Sequence, residues 1–221
     1  MKWLSQHLNS LIKTKLVRGL IMKILNLVFH PNLDNSRNNL TWKTQLYESG
    51  KITTSRDVYA DYPDFNIDVE REQLLLSEHD RVILQFPFYW YSMPPLLKKW
   101  LDDVLTYNFA YGPEGDKLKG KDLQLVVSVG GREKFYSGFD IFTTVPDLLR
   151  PFQLTANLTQ MNYLQPEYMF NADSADVSEI KSFGQGLVQK IDDPKRSNPR
   201  QYLYDSMNNE LNETYEELGL A

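Results

Sequence analysis

The chain has 221 residues, of which 42% are hydrophobic and 24% charged, and its formal net charge is −5. Length and composition predict one domain with a sizeable core, and the acidic balance argues against a nucleic-acid surface, which needs clustered Lys and Arg. The absence of cysteine excludes disulfides, thiolate metal sites and cysteine nucleophiles, and is consistent with a cytoplasmic protein. The three histidines are far apart in the sequence, so we predict no protein-bound metal, and no stretch is apolar enough to span a bilayer.

Residues 1–21 form a segment whose apolar residues recur at helical spacing. The segment has no acidic residue and carries the basic residues Lys2, Lys13, Lys15 and Arg18. Such a pattern is typical of a helix on an anionic membrane or of a targeting sequence. Because Met22 directly precedes the first predicted strand, we favour an N-terminal extension without function, produced by an upstream start codon.

A first strand is predicted at residues 23–29, and a polar loop after it leads into a helix that ends near Gly50. A strand, a polar loop and a helix N-terminus together favour an anion site, because the helix dipole and unpaired N–H groups point to the same place. The loop has neither the glycine fingerprint of dinucleotide-binding Rossmann folds nor a P-loop motif. Ser36 is also a candidate helix cap, so capping alone is the alternative explanation of its position.

The next elements are a second strand at 52–60, a helix at 68–76 and a third strand at 81–85. Alternating strands and helices predict an α/β fold whose parallel sheet is covered by helices on both faces. The third strand continues into residues 86–100, where four consecutive aromatic residues lie between prolines and a helix follows. This aromatic loop is at the carboxyl end of a strand, where open parallel sheets bind ligands. The alternative is that its rings fill a core or a subunit interface.

A fourth strand is predicted at 123–129, and Gly130 and Gly131 end it. Paired glycines allow the backbone to approach a ligand, although a plain tight turn is the alternative. Beyond them the pattern predicts a helix at 144–160 broken at Pro151, a fifth strand near 161–170 and a helix at 176–190. Residues 22–192 would then form the domain, and residues 193–221 a polar C-terminal tail.

A family resemblance is carried by two adjacent stretches, FPFYWYSMPPLLKKW at residues 86–100 and LDDVLTYNFAYG at residues 101–112. Together they resemble the flavodoxin-like NAD(P)H:quinone oxidoreductases, the family of DT-diaphorase and of the flavoproteins ancillary to bacterial glutathione-gated potassium efflux. The resemblance implies a flavodoxin-like fold with a five-stranded parallel sheet in the order 2-1-3-4-5. It implies a flavin, FMN or alternatively FAD, that passes a hydride from NAD(P)H to a quinone or a similar electrophile. It also implies a homodimer, because in this family the neighbouring subunit completes the open face of the flavin.

The resemblance further assigns residues to the flavin, with His30, Ser36 and Asn38 on its phosphate. The implied cofactor-binding set is His30, Ser36, Asn38, Pro87, Phe88, Tyr89, Trp90, Tyr91, Ser128, Val129, Gly130 and Gly131. Tyr136, with Gly130 and Gly131, would form the catalytic set. The histidine that follows this tyrosine in DT-diaphorase has no counterpart in residues 137–142.

Two other functions remain as alternatives. The first is a regulatory subunit that associates peripherally with a membrane potassium-efflux system. The second is an electron-transfer flavodoxin, which is disfavoured because the first loop is not rich in Ser and Thr and because the stretch SMPPLLKKW is present.

Overall fold

The structure is a computed structural model, and it describes residues 22–136 and 143–193. The predicted extension 1–21 and all of the predicted tail except Asp193 lie outside the described residues. The strands and longer helices in chain order are β1 Ile24–Val28, α1 Arg37–Glu48, β2 Thr54–Asp57, α2 Val58–Asp61, α3 Val69–Glu78, β3 Arg81–Pro87, α4 Pro95–Val104, β4 Asp122–Ser128, α5 Val145–Leu148, α6 Arg150–Leu158, β5 Asn162–Tyr163, β6 Glu167–Met169 and α7 Val177–Lys190. Within the described ranges, every helix is too short or too polar to cross a membrane.

The strands form one parallel sheet in the order β2-β1-β3-β4-β5, and β6 also pairs with β4. The predicted flavodoxin-like α/β fold and strand order are therefore confirmed, but the fifth position is divided between two short strands. Asp122 pairs with Asn162 whereas Val126 pairs with Glu167, so the β5–β6 side contains one extra residue. Pro166 lies in this interruption, and proline has no N–H to donate to a strand ladder.

Two other elements have ends that differ from the predicted ones. β2 stops at Asp57, whose carboxylate accepts a hydrogen bond from the N–H of Tyr59 and so caps α2 instead of continuing the strand. The helix near the fifth strand breaks at Leu149 and not at Pro151. Pro151 lies in the first turn of α6, where its missing N–H removes no helical hydrogen bond.

Helices cover both faces of the sheet because the side chains of its buried strands alternate between the faces. Ile24 of β1 belongs to one buried cluster with Trp42 of α1 and Leu187 of α7. Its neighbour Leu25 belongs to the other cluster, which contains Trp100 of α4. The loops that follow β1, β3, β4 and β6 leave the sheet at its carboxyl edge, because all four strands are parallel.

Glu72 of α3 is a fully buried carboxylate that joins three other parts of the fold. It accepts hydrogen bonds from Tyr62 Oη at 2.6 Å and from Trp100 Nε1 of α4 at 2.9 Å, and it forms an ion pair with Arg56 of β2. The Trp100 ring in turn packs edge-on against Phe29, directly after β1. Glu72 therefore helps to hold α4, the helix after the aromatic loop, against the start of the first loop.

We expect Glu72→Ala to lower the free energy of unfolding by about 3–5 kcal/mol, because it leaves the buried Arg56 charge without its main partner. Glu72→Gln keeps the shape of the side chain and should cost less. Urea unfolding followed by circular dichroism measures both changes. Glu70→Ala, at an exposed position on the same helix, is the control, and equal stabilities of the two Ala variants would contradict this assignment.

Candidate functional site

A cavity of about 580 Å³ lies at the carboxyl edge of the sheet. It is lined by the loops after β1, β3, β4 and β6 and by the first turn of α1. Its volume is in the usual range of small-molecule sites, roughly 300–1,000 Å³. The position also agrees with the rule that open parallel sheets bind ligands outside the carboxyl ends of their strands, where the strand order reverses.

The structure brings most of the predicted site residues together in this cavity. Those that line it are His30, Ser36, Asn38, Pro87, Phe88, Tyr89, Ser128, Gly130, Gly131 and Tyr136. Val129 is instead buried in the core, and Trp90 and Tyr91 are exposed, the former to 92%. The hypothesis that Trp90 forms a wall of the pocket is therefore not supported by the position of its ring. The alternative that this ring fills the core is wrong.

The reason for the exposure of Trp90 is a tight turn in the aromatic loop. Trp90 and Tyr91 have φ angles of 48° and 60°, in the left-handed region. Tyr89 and Ser92 close the turn with two backbone hydrogen bonds of 3.2 and 2.9 Å. Consecutive positive φ angles are typical of a type I′ turn, which favours Gly, Asn and Asp. Aromatic residues in this conformation cost roughly 1–3 kcal/mol each, and such strain is concentrated at functional sites.

The first turn of α1 forms an anion-binding part of the cavity. Ser36 is the N-cap, and its Oγ accepts a hydrogen bond from Asn39 N at 3.2 Å. Ser36 therefore does cap α1. The remaining N–H groups of the first turn have no partner within the helix, which suits them to binding an anion. Arg37, the first helical residue, lines the cavity as well and adds a positive charge that the sequence analysis did not select.

His30 adds a neutral hydrogen-bond donor beside this turn. Burial lowers the pKa of its imidazole, against the opposing effects of a hydrogen bond with Asn32 and of the charge on Asp57. Asn32 N donates to His30 Nδ1 at 3.1 Å, so the proton of the neutral ring lies on Nε2. Tyr89 packs edge-on against the same ring, with 6.5 Å between the ring centroids.

Asn38 connects the first loop with the loop after β6, and it has an unsatisfied atom. Its Nδ2 donates to Ala172 O at 2.9 Å. Its Oδ1 is buried and has no hydrogen-bond partner in the described part of the chain. A buried acceptor without a donor is costly, so this atom indicates a ligand that donates a hydrogen bond. FMN offers such donors in its ribityl hydroxyls, beside a phosphate for the helix terminus.

Asn39, another cavity residue that the sequence analysis missed, ties α1 to the end of β4. Its side chain is buried, and Nδ2 donates to Ser128 Oγ at 3.0 Å. Gln85 of β3 donates to the Asn39 carbonyl oxygen at 2.8 Å. Asn39 could have been selected from the sequence because it lies three residues after Ser36, the position whose side chain commonly hydrogen-bonds with the N-cap residue.

Gly130 and Gly131 lie where side chains would collide with the cavity wall. A Cβ on Gly130 would clash with the carboxylate of Asp173, and a Cβ on Gly131 would lie 2.9 Å from Tyr136 Oη. Neither glycine has a positive φ, so close packing and not turn geometry requires them. Burial raises the pKa of Tyr136, with a smaller contribution from Tyr91, so its hydroxyl stays protonated at neutral pH.

The cavity fits a phosphorylated flavin in shape and in chemistry. It combines an anion-binding helix terminus with a glycine backbone, and its aromatic walls suit a flat ring. These walls are provided by Phe88, Tyr89 and Tyr136, and the rings of Phe88 and Tyr136 pack edge-on at 6.1 Å.

Comparison with known proteins identifies the family. A family model described as a flavodoxin-like fold matches residues 22–190. The chain belongs to this flavodoxin-like family. It is 45% identical over 171 residues to the uncharacterized NAD(P)H oxidoreductase YrkL of Bacillus subtilis, covering 77% of this chain and 98% of that relative. It is 38% identical over 174 residues to the glutathione-regulated potassium-efflux system ancillary protein KefG of Cronobacter sakazakii, covering 78% and 94%.

Solved structures of this flavodoxin-like family are similar as well. General stress protein 14 of Treponema denticola, solved in complex with FMN, is 36% identical with a TM-score of 0.73, over 77% of this chain and 98% of that one. An NADPH-quinone reductase from P. pentosaceus is 33% identical with a TM-score of 0.68, over 76% and 96%. A structure described as a thermophilic tryptophan halogenase from Streptomycin violaceusniger is 44% identical with a TM-score of 0.73, over 76% and 98%.

We expect Asn38→Asp to weaken FMN binding by about 1–3 kcal/mol, because it places a carboxylate near a phosphate and faces it toward the Ala172 carbonyl. Titration of flavin fluorescence measures the affinity. Riboflavin, which has no phosphate, should lose less affinity than FMN. Asn66→Asp, at an exposed position away from the cavity, makes the same change in net charge and is the control. Equal FMN affinity of Asn38→Asp and wild type would contradict the role of this loop.

Proposed function

We propose that this protein is an NAD(P)H:quinone oxidoreductase that uses FMN bound in the carboxyl-edge cavity and acts as a homodimer in the cytoplasm. The observation that carries the proposal is the donor set of the cavity, in which the α1 terminus, Arg37 and His30 suit a phosphate and the Gly130-Gly131 backbone suits a ring edge. Three named relatives support it, since they are called an NAD(P)H oxidoreductase, an NADPH-quinone reductase and an FMN complex. The halogenase name belongs to one similar structure and to a different chemistry.

The chemistry that bound FMN supplies is the acceptance of a hydride from NAD(P)H and the delivery of two electrons to a quinone. The residues of the chain supply binding and orientation. Arg37 and the α1 N-terminus would hold the phosphate, and His30 Nε2–H would donate a hydrogen bond to it. The buried Oδ1 atom of Asn38 would accept from a ribityl hydroxyl.

The other wall of the cavity orients the reactants. The Gly130-Gly131 backbone would face the ring edge, and the missing side chain of Gly131 makes room for the Tyr136 hydroxyl. Tyr136 presents a protonated hydroxyl beside this turn, where it is a hydrogen-bond donor for a carbonyl oxygen of the acceptor. NAD(P)H and the quinone take turns on one open face, so the kinetics are ping-pong.

The decisive experiment starts with the absorbance spectrum of the purified chain and identification of the released flavin. We expect FMN, and we expect oxidation of NADH or NADPH beyond one equivalent per bound flavin only when a quinone is added. Parallel lines in double-reciprocal plots at several quinone concentrations would support the ping-pong order. A purified chain that binds neither FMN nor FAD would overturn the proposal.

A regulatory subunit of a potassium-efflux system is the second candidate, and the 38% identity to KefG favours it. The two candidates differ in what they require of the flavin site. A regulator should restore efflux in cells that lack their own ancillary protein even when Asn38→Asp has weakened flavin binding. An enzyme without this role should show quinone turnover and no effect on efflux. A pull-down from membranes would identify the transport system as a partner.

The homodimer rests on the exposed aromatic side chains of the aromatic loop, which we call the aromatic rim. The rim consists of Tyr89, Trp90 and Tyr91, exposed by 40 to 92%. Exposed large aromatic residues are enriched at protein interfaces, where Trp and Tyr commonly dominate the binding energy. A second copy that covers the rim would bury Trp90 and compensate for the strain of its turn.

We therefore expect Trp90→Ala to weaken dimerisation at least tenfold, because an interface Trp commonly contributes about 2 kcal/mol or more. The thermal midpoint of the monomer should stay within a few degrees, since the ring is outside the core. Sedimentation equilibrium over a dilution series measures the association. Tyr47→Ala removes an aromatic ring that is 66% exposed on α1 and is the matched control. Unchanged dimerisation of Trp90→Ala would exclude the rim as the interface.

A further inference from the structure

Asp173 lies in the cavity, and neither the sequence analysis nor the proposed mechanism uses it. It follows β6, and its side chain occupies the space that the missing Cβ of Gly130 leaves open. Among the described residues that line the cavity, it is the one with a carboxylate. A negative charge at this place requires an explanation, because the same cavity is built to hold a phosphate.

The position of Asp173 is fixed by the two residues before it. Asn171 N donates to Gly131 O and Ala172 N donates to Val129 O, each at 2.9 Å. Ala172 O in turn accepts the hydrogen bond from Asn38. The backbone of this loop is thus held to the end of β4 on one side and to α1 on the other. These backbone hydrogen bonds therefore fix the position of the Asp173 carboxylate over Gly130.

Asp173 is exposed, and the charged group nearest to it in the lining of the cavity is Arg37, whose guanidinium donates to Ala175 O. The described residues form no hydrogen bond and no ion pair with its carboxylate. Burial raises the pKa of the Tyr89 hydroxyl, and the charge on Asp173 raises it further, so the carboxylate acts on the interior of the cavity. Because Asp173 is exposed, solvent screens its charge, and the effect of that charge on a bound group is modest.

We propose that the negative charge of Asp173 makes the cavity bind the neutral, oxidised flavin ring more tightly than the reduced ring. This inference rests on the proposed function and deepens it. Two-electron reduction makes the flavin ring more negative, because the reduced ring loses a proton near neutral pH. Since Gly130 is the proposed neighbour of the ring, a carboxylate over Gly130 repels that extra charge. The bound flavin is thereby a stronger reductant toward the quinone.

The test uses the full chain with FMN bound and compares Asp173→Asn with wild type. The substitution keeps the size of the side chain and removes its charge. We expect the preference for oxidised over reduced FMN to fall about fivefold, since a partly exposed charge acts through a high effective dielectric. For a two-electron couple this equals an increase of the midpoint potential by about 20 mV. Equilibration with a reference dye during slow reduction measures the potential without any turnover.

Asp34→Asn is the matched control, because Asp34 is exposed near the first loop, does not line the cavity, and changes the net charge equally. A second readout is the ratio of FMN affinity to riboflavin affinity. We expect Asp173→Asn to change this ratio by less than it changes the preference for oxidised over reduced FMN. An unchanged potential, or an equal shift in Asp34→Asn, would overturn the inference. A changed FMN-to-riboflavin ratio without a change in potential would also overturn it, by placing the charge against the phosphate. Wild-type protein without any flavin affinity would overturn the proposed function itself.

Discussion

The shape of the cavity depends on the hydrogen bonds made by Asn39. From the first turn of α1 the Asn39 side chain donates to Ser128 at the end of β4. Gln85 of β3 donates to the backbone carbonyl oxygen of Asn39 and, at 3.3 Å, to its Oδ1. Gln85 in turn accepts from Asn26 of β1. These buried groups thus connect β1, β3 and β4, three of the four strands whose loops line the cavity. Polar groups so deeply buried are costly when unpaired, so the network tolerates one arrangement of these elements and penalises others.

The cavity itself is assembled from residues that break local rules. Trp90 and Tyr91 adopt left-handed backbone conformations that favour other residue types. Asn38 keeps a buried oxygen that has no hydrogen-bond partner in the described part of the chain. Local rules are commonly broken at functional sites, where a ligand or a partner supplies the missing interactions. The departures lie around one cavity, which is why we place cofactor binding there.

The face of the sheet covered by α3 and α4 contributes rigidity. Glu72 holds Arg56, Tyr62 and Trp100 in one buried network. Tyr59, near the end of β2, accepts a hydrogen bond from Leu96 N in the first turn of α4. Pro94, the N-cap of α4, provides no side-chain cap. The helix after the aromatic loop is therefore positioned by neighbouring elements and not by its own sequence, and it forms the fixed base from which the strained turn projects.

The sequence by itself determined the alternation of strands and helices, the capping of α1 at Ser36 and the position of the aromatic loop at the end of β3. These features depend on side-chain periodicity and on residues within a few positions of each other, which a sequence pattern records. The strand order was available only through the family resemblance. Only the tertiary structure decided that Asp173 and Ala172 line the cavity, because Asn38 and Ala172 are 134 residues apart in the chain. It also decided where the Trp90 side chain points. The aromatic composition of the loop predicts a buried ring, whereas the φ angles of the turn place this ring on the surface of the chain.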